Sequence, residues 1–351
     1  MSDPSVAAPS QGPTSADGPA DGVDGTRGRL RAVWTAAARL LAGRPVRWGF
    51  VAVAVALGGY AVARQWTDVR AALASLGFLA VAGALLAALI ALFAAFQVWR
   101  RLLAALGSPL PGRAAAQILF VGQLGKYLPG SIWPVLAQME LGAAHHVPQR
   151  RSASASVLTM LLSLVTGLLT ALVALPFAAG PTPYRWAFLA APLLLIVLYP
   201  KVLNFLLDRL LRLARRPALE QALTGRALAG ALVWAFISWI CYGIQIWVLA
   251  LRLGAPGGTG LLLAVGGFAF AWSAGFLVVF APAGAGVREV LLIAILGPVI
   301  GVGDATALAL VSRVVMTGSD LLTAAAAAWF SPRSGAAAAR RSRRGGTRQA
   351  D

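Results

Sequence analysis

Long apolar stretches separated by short polar loops dominate the pattern of this chain. Most of the stretches contain about twenty residues, the length of helix that crosses a bilayer. They occupy residues 48–64, 78–99, 114–128, 153–178, 185–200, 227–251, 260–281, 287–300 and 304–330. The pattern predicts an all-α fold, a polytopic transmembrane helical bundle with about eight spans and one or two broken or re-entrant elements.

The stretch AAAQILFVGQLGKYLPGSIWPVLAQ, residues 114–138, is predicted to be broken within the membrane. Its part before Pro129 gives about 22 Å of helix, whereas a bilayer core is about 30 Å thick. Pro129 and Gly130 are expected to end this helix, and Pro134 is expected to prevent a clean restart. A broken helix persists in lipid only where protein or a water-filled cavity satisfies its backbone, so a re-entrant element lining a site is predicted.

Three polar side chains, Gln123, Lys126 and Tyr127, lie just before this break. A lysine at mid-depth has no short route to the membrane surface and needs an anionic partner. Within the protein we consider Glu140 and Glu289; outside it, a lipid phosphate. The phosphate is the partner that we predict.

A second interruption is the run FAPAGAGVREV, in which Pro282, Gly284 and Gly286 precede Arg288 and Glu289. Glycines ahead of a helix start expose backbone N–H groups, which favour anions. A carboxylate in the first turn also complements the helix dipole. This run therefore predicts a second polar element within the membrane.

The last apolar stretch carries Arg313 and Asp320 on one face, two helical turns and about 10 Å apart. They are too far apart for a direct ion pair without a third partner. An ionisable group within a span costs about 2.5–3.5 kcal/mol and is by default a functional candidate. Structural ion pairs between spans are the alternative, and both interpretations remain open.

Uncharged polar residues also form stripes within the apolar stretches. We favour helix–helix packing for these stripes, although a cavity wall is the alternative. Their members are Ser156, Thr159, Ser163, Thr166 and Thr170; Ser238, Tyr242 and Gln245; and the small residues Gly267, Ala271 and Gly275.

The ends of the chain differ from this apolar region. Residues 1–26 have little to bury and are predicted to be disordered. Residues 27–47 are predicted to form a basic amphipathic helix at the membrane interface. Residues 48–330 form the predicted transmembrane domain, and residues 331–351 a disordered, Arg-rich cytoplasmic tail.

Composition agrees with a membrane protein, since 59% of the residues are hydrophobic and 12% are charged. The net charge of +18 is concentrated in loops, where arginine fixes orientation. This distribution predicts a multi-pass protein of the plasma membrane with both termini in the cytoplasm. No motif for nucleic acid is present in the sequence, so we predict no nucleic-acid partner.

Two runs, GQLGKYLPGSIWP and FAPAGAGVREVLL, resemble the lysylphosphatidylglycerol synthase transmembrane-region family, also described as flippase-like membrane proteins. The first run matches the family pattern at Gly122, Gly125, Lys126, Tyr127, Pro129, Gly130 and Trp133. The second matches it at Pro282, Gly284, Gly286, Arg288 and Glu289. The resemblance extends over roughly residues 48–330.

The resemblance implies a bacterial membrane protein related to the region that moves an aminoacylated lipid across the bilayer. Only a short tail follows Phe330 in this sequence, so lysyl transfer is not expected here. The leading hypothesis is translocation of an anionic phospholipid or a polyprenyl-phosphate-linked lipid, with Lys126, Arg288 and Arg313 on the phosphate. The alternatives are a non-transporting membrane partner of a glycosyltransferase or lipid-modifying enzyme, and a structural or regulatory membrane protein.

We expect neither an enzyme nor a cofactor. His145 and His146 are the only histidines, and adjacent positions on a helix point in different directions, so no metal site is predicted. The predicted head-group site comprises side chains from both broken runs and from the late spans. They are Gln123, Lys126, Tyr127, Trp133, Tyr242, Arg288, Glu289, Arg313 and Asp320.

Overall fold

The computed structural model describes residues 74–128, 132–178, 189–213, 223–278 and 284–330. Over these residues the chain consists of helices, turns and short connections, and it contains no strand. The predicted all-α membrane bundle is therefore confirmed. We number the described helices α1 (Phe78–Ala105), α2 (Gly112–Ala116), α3 (Trp133–Ala143), α4 (Gln149–Ala178), α5 (Ala191–Val197), α6 (Pro200–Leu213), α7 (Gly225–Arg252), α8 (Gly257–Leu277), α9 (Val287–Ile300) and α10 (Val302–Trp329).

Among the described residues, five helices are long and apolar enough to cross a membrane: α1, α4, α7, α8 and α10. Each coincides with a predicted apolar stretch. The predicted stretch 48–64 lies outside the described residues, as do the two tails and the interfacial helix predicted at 27–47.

Helix α7 packs along α1 and α8. Ser238 Oγ donates to the carbonyl oxygen of Ala91 on α1 at 3.0 Å. On the side facing α8, a Cβ at Gly243 would lie 2.5 Å from the Cα of Val265. The absence of a side chain at Gly243 therefore sets how closely α7 and α8 approach.

Small residues also position the second interrupted run. A Cβ at Gly275, near the end of α8, would lie 3.2 Å from the Cα of Gly284. Gly284 and Gly286 have φ values of 69° and 88°, which residues with side chains rarely adopt. Together these glycines bring the start of α9 against α8.

Helix α9 has 14 residues, about 21 Å of helix, so it is shorter than a bilayer core. It ends at Gly301, whose φ of 90° reverses the chain into α10. This length agrees with the expectation of a partial span at 287–300. The start of α9 is consequently held beside the middle of α10, where Arg313 lies.

The stretch predicted as a helical segment at 185–200 is interrupted where the structure describes it. Helix α5 has seven residues and ends at Val197, and α6 begins at Pro200 after a turn. A proline begins a helix well but lacks the N–H that would bond back to the preceding helical turn. Helix α6 then carries the exposed basic residues Lys201, Arg209 and Arg212.

Candidate functional site

The first broken run stops being regular α-helix several residues before Pro129. Helix α2 leads into a π-helical turn at Gln117–Val121 and then a 3₁₀ turn at Leu124–Tyr127. Leu128 is extended, with φ −86° and ψ 146°, the conformation favoured before a proline. Lys126 and Tyr127 thus lie at the very end of the helical part, while Pro129 and Gly130 are outside the described residues.

Pro134 does not act as the predicted barrier to a restart. Helix α3 begins at Trp133, and Pro134 occupies its first turn. At this position a proline lacks only an N–H that would have no helical partner, and its fixed φ suits the helix. The expectation for Pro134 was therefore wrong, because its place in the first turn outweighs its effect as a helix breaker.

Lys126 pairs with a residue of the last helix. Its Nζ lies 2.6 Å from Asp320 Oδ2 on α10, and Tyr127 Oη donates to the same oxygen at 2.7 Å. Neither Glu140 nor Glu289, the two internal partners that we considered, takes this place. Sequence spacing does not reveal the pair, because its members come from elements that are distant in the chain.

Glu289 is the centre of a second charged group. Its Oε1 accepts hydrogen bonds from Arg288 at 3.2 Å and from Arg313 at 3.1 Å. Its Oε2 accepts from the backbone N–H of Gly286 at 2.6 Å. The N–H at Gly286, expected to attract an external anion, is therefore occupied by the protein's own carboxylate.

The two charged groups border one cavity of about 230 Å³. Its lining includes polar and charged side chains from the broken runs, α4, α7 and α10, together with aromatic side chains. Among them are Trp99, Gln123, Lys126, Tyr127, Gln138, Ser156, Thr159, Ser163, Ser238, Trp239, Tyr242, Trp272, Phe276, Arg288, Arg313, Met316, Thr317 and Asp320.

Seven of the nine predicted site residues line this cavity: Gln123, Lys126, Tyr127, Tyr242, Arg288, Arg313 and Asp320. Glu289 is not on the wall but binds the two arginines that are. Trp133, at the start of α3, is not among the lining residues. Pro134 and Gly284, predicted as breaks, also contribute to the lining.

The wall formed by α3 and α4 was not included in the predicted site. Ser156 Oγ donates to Gln138 Oε1 at 2.5 Å, and Thr159 and Ser163 continue the same face of α4. The stripe of serine and threonine residues on α4 indicated this wall in the sequence, although we favoured helix–helix packing as its role. Both interpretations hold in part, since Thr166 on the same stripe accepts a hydrogen bond from Trp239 Nε1 at 3.0 Å.

The cavity region has an excess of positive charge among its ion-paired residues. The group contains three cations, Lys126, Arg288 and Arg313, and two carboxylates, Asp320 and Glu289. One positive charge is therefore not balanced within the group. Arg288 is buried, its Nη1 contacts Met316 Sδ at 3.2 Å, and its Nε has no hydrogen-bond partner. A buried, incompletely satisfied guanidinium beside a cavity favours an anionic ligand.

Comparison with known proteins identifies the family of this chain. The family model described as the lysylphosphatidylglycerol synthase TM region matches residues 48–323, which include every charged residue of the cavity. No match to a curated protein was found. Because the family match covers most of the chain, the protein belongs to the lysylphosphatidylglycerol synthase transmembrane-region family.

Proposed function

We propose that this protein translocates an anionic lipid, either a phospholipid or a polyprenyl-phosphate-linked lipid, across the bacterial plasma membrane without changing it chemically. One observation carries the proposal. Three cationic side chains meet two carboxylates around a cavity of about 230 Å³ inside a bundle of apolar helices. A site of this charge, surrounded by apolar material, favours one anion.

The dimensions of the cavity favour a head group over a whole lipid. Its volume is below the roughly 300–1,000 Å³ of sites that enclose a small molecule. A phosphate with its substituent is therefore the part we place inside, between Arg288 and Lys126, while the acyl or prenyl chains remain in the bilayer. Gln123 and Ser163 offer hydrogen bonds to the rest of the head group.

The two interrupted runs supply a path through the membrane in this proposal. Helix α9 and the run from α2 to Tyr127 are each too short to cross alone. We interpret the segment from α2 to α3 as a re-entrant hairpin that enters and leaves on the cytoplasmic side. Backbone groups at such breaks tolerate the membrane because they border a cavity.

The rival function is that of a non-transporting membrane partner of a glycosyltransferase or lipid-modifying enzyme. Such a partner could bind the same lipid head group and present it to the enzyme. The two functions differ in whether lipid crosses the bilayer when this protein is present alone.

Transport by the purified protein separates these functions. The protein is reconstituted in liposomes that contain trace fluorescent phosphatidylglycerol or fluorescent phosphatidylcholine, and a membrane-impermeant quencher reports the outer leaflet. We expect the anionic lipid to exchange between leaflets faster than the zwitterionic lipid and faster than in protein-free liposomes. Binding of the anionic lipid without exchange would support the rival, and neither binding nor exchange would overturn both.

A further inference from the structure

The ammonium of Lys126 is already occupied in the structure. Asp320 Oδ2 lies 2.6 Å from its Nζ, and the same carboxylate oxygen accepts from Tyr127 Oη at 2.7 Å. Asp320 therefore holds the position that a phosphate oxygen would take on Lys126. A lipid anion reaches this lysine only by sharing it with Asp320 or by displacing Asp320.

Sharing is unfavourable in this environment. The side chain of Asp320 is 6% exposed, so water screens it poorly from a second anion on the same ammonium. Two negative groups that crowd one buried site disfavour each other's charge, and such pairs relieve the repulsion by holding a proton.

The other cations on the cavity wall, Arg288 and Arg313, are both bound to Glu289, so a displaced Asp320 has to compete with that carboxylate for either of them. Arg313 lies two turns away on the same helix, about 10 Å along its axis, and is bound to Glu289. The titratable and charged groups that surround Asp320 on the cavity wall or directly behind it come from four elements. They are Lys126, Tyr127, Tyr242, Arg288, Glu289 and Arg313.

We propose that the lipid anion and Asp320 exchange places on Lys126, and that each lipid bound brings one proton onto Asp320. This inference rests on the proposed function and adds a coupling to it. A carboxylate that loses its cation in a buried position becomes neutral by taking up a proton. The neutral carboxyl group remains hydrogen-bonded to Tyr127.

The charges balance in this exchange. The ion pair between Lys126 and Asp320 breaks, a lipid phosphate oxygen accepts from the lysine, and a proton from water adds to the carboxylate. The lipid adds one negative charge and the proton one positive charge, so the occupied site keeps the net charge of the empty site. When the lipid leaves, Asp320 returns to Lys126 and releases the proton. Lipid movement is coupled to a proton gradient when the proton is taken up on one side of the membrane and released on the other.

The test measures proton uptake on lipid binding. Purified protein in neutral detergent is titrated with short-chain phosphatidylglycerol, a phosphodiester, in weakly buffered solution with a pH-indicator dye. We expect about one proton per lipid bound, and an affinity that falls as the pH rises, by at most about tenfold per pH unit. Asp320→Asn should bind without proton uptake and with an affinity independent of pH.

Asp304→Asn provides the matched control. Asp304 is an exposed carboxylate in the first turn of the same helix, α10, so its variant should behave as the parent does. Proton uptake by the parent needs no variant, so the test does not depend on how well Asp320→Asn folds.

The outcomes separate this inference from the proposed function. Lipid binding with no proton uptake and no pH dependence would overturn the exchange and leave the lipid site intact. Uptake that persists in Asp320→Asn would overturn the assignment to Asp320. No binding by the folded parent at any pH would overturn the proposed function and the exchange with it.

Discussion

Lys126 Nζ and Asp320 Oδ2, 2.6 Å apart, connect the first broken run to the last helix. Arg313 Nη1 and Glu289 Oε1, 3.1 Å apart, connect the second interrupted run to the same helix with the charges reversed. Helix α10 thus offers one carboxylate and one guanidinium, and each interrupted run supplies the opposite charge. A displacement of α10 would therefore change the ion pairs at both interrupted runs.

The two ion pairs differ in whether the remaining residue keeps another partner when the residue on α10 is replaced. Asp320→Leu leaves Lys126 without its carboxylate, whereas Arg313→Leu leaves Glu289 still bound to Arg288. We expect Asp320→Leu to lower the thermal unfolding midpoint in detergent more than Arg313→Leu does. Lys126 is 26% exposed, so we expect a loss below the roughly 3–5 kcal/mol of a fully buried pair.

Asp304→Leu, on the same helix but exposed, is the control for this comparison. Its unfolding midpoint should match that of the parent. A larger loss in Arg313→Leu than in Asp320→Leu would contradict the assigned pairs.

The contact between α7 and α8 gives a prediction about stability alone. Gly243→Ala places a methyl group 2.5 Å from the Cα of Val265, so the two backbones must separate. Overpacking of this kind costs about 1–3 kcal/mol. Thermal unfolding should show this loss for Gly243→Ala, whereas Gly258→Ala, which meets nothing within 4 Å, should unfold as the parent does. Equal midpoints would show that the helices are not closely packed at Gly243.

The orientation of the chain is predicted from its basic loops. In a background in which Cys241 is replaced by serine, single cysteines at Ser2, Ala144 and Gly346 should be protected from a membrane-impermeant reagent in intact cells. A cysteine at Gly258, in the first turn of α8 on the predicted opposite side, should be labelled. Labelling at Ala144 from outside would contradict the re-entrant hairpin, because that hairpin returns the chain to the cytoplasm.

The positions of the long helices follow from the sequence because apolar length is a local property. The pattern located α1, α4, α7, α8 and α10, and it indicated that the 287–300 stretch is short. The residue types predicted helix ends less reliably where one residue has two opposing effects on a helix. Pro134 is a helix breaker in the interior of a helix but a favourable residue in its first turn, and the sequence alone did not decide between these positions.

The membership of the cavity was largely predictable, whereas its pairings were not. Ionisable residues in apolar stretches are conspicuous, so Lys126, Arg288 and Asp320 were identified individually. The bond between Tyr127 and Asp320 joins residues 193 positions apart, and only the folded arrangement of the helices brings them together. Gln138 was missed for a related reason, because its role depends on Ser156 of α4 lying opposite it.

Anionic-lipid exchange by lysine variants in liposomes tests the central claim most directly. The chain contains two lysines, Lys126 at the cavity and the exposed Lys201 on α6, so Lys201→Gln is a matched control. We expect Lys126→Gln to slow phosphatidylglycerol exchange at least about tenfold, since a hydrogen bond to a charged group contributes about 1.5–3 kcal/mol. Lys126→Arg should keep part of the rate because its charge remains, and Lys201→Gln should match the parent. Exchange by folded Lys126→Gln as fast as that of the parent would contradict the assignment of Lys126 to the lipid site.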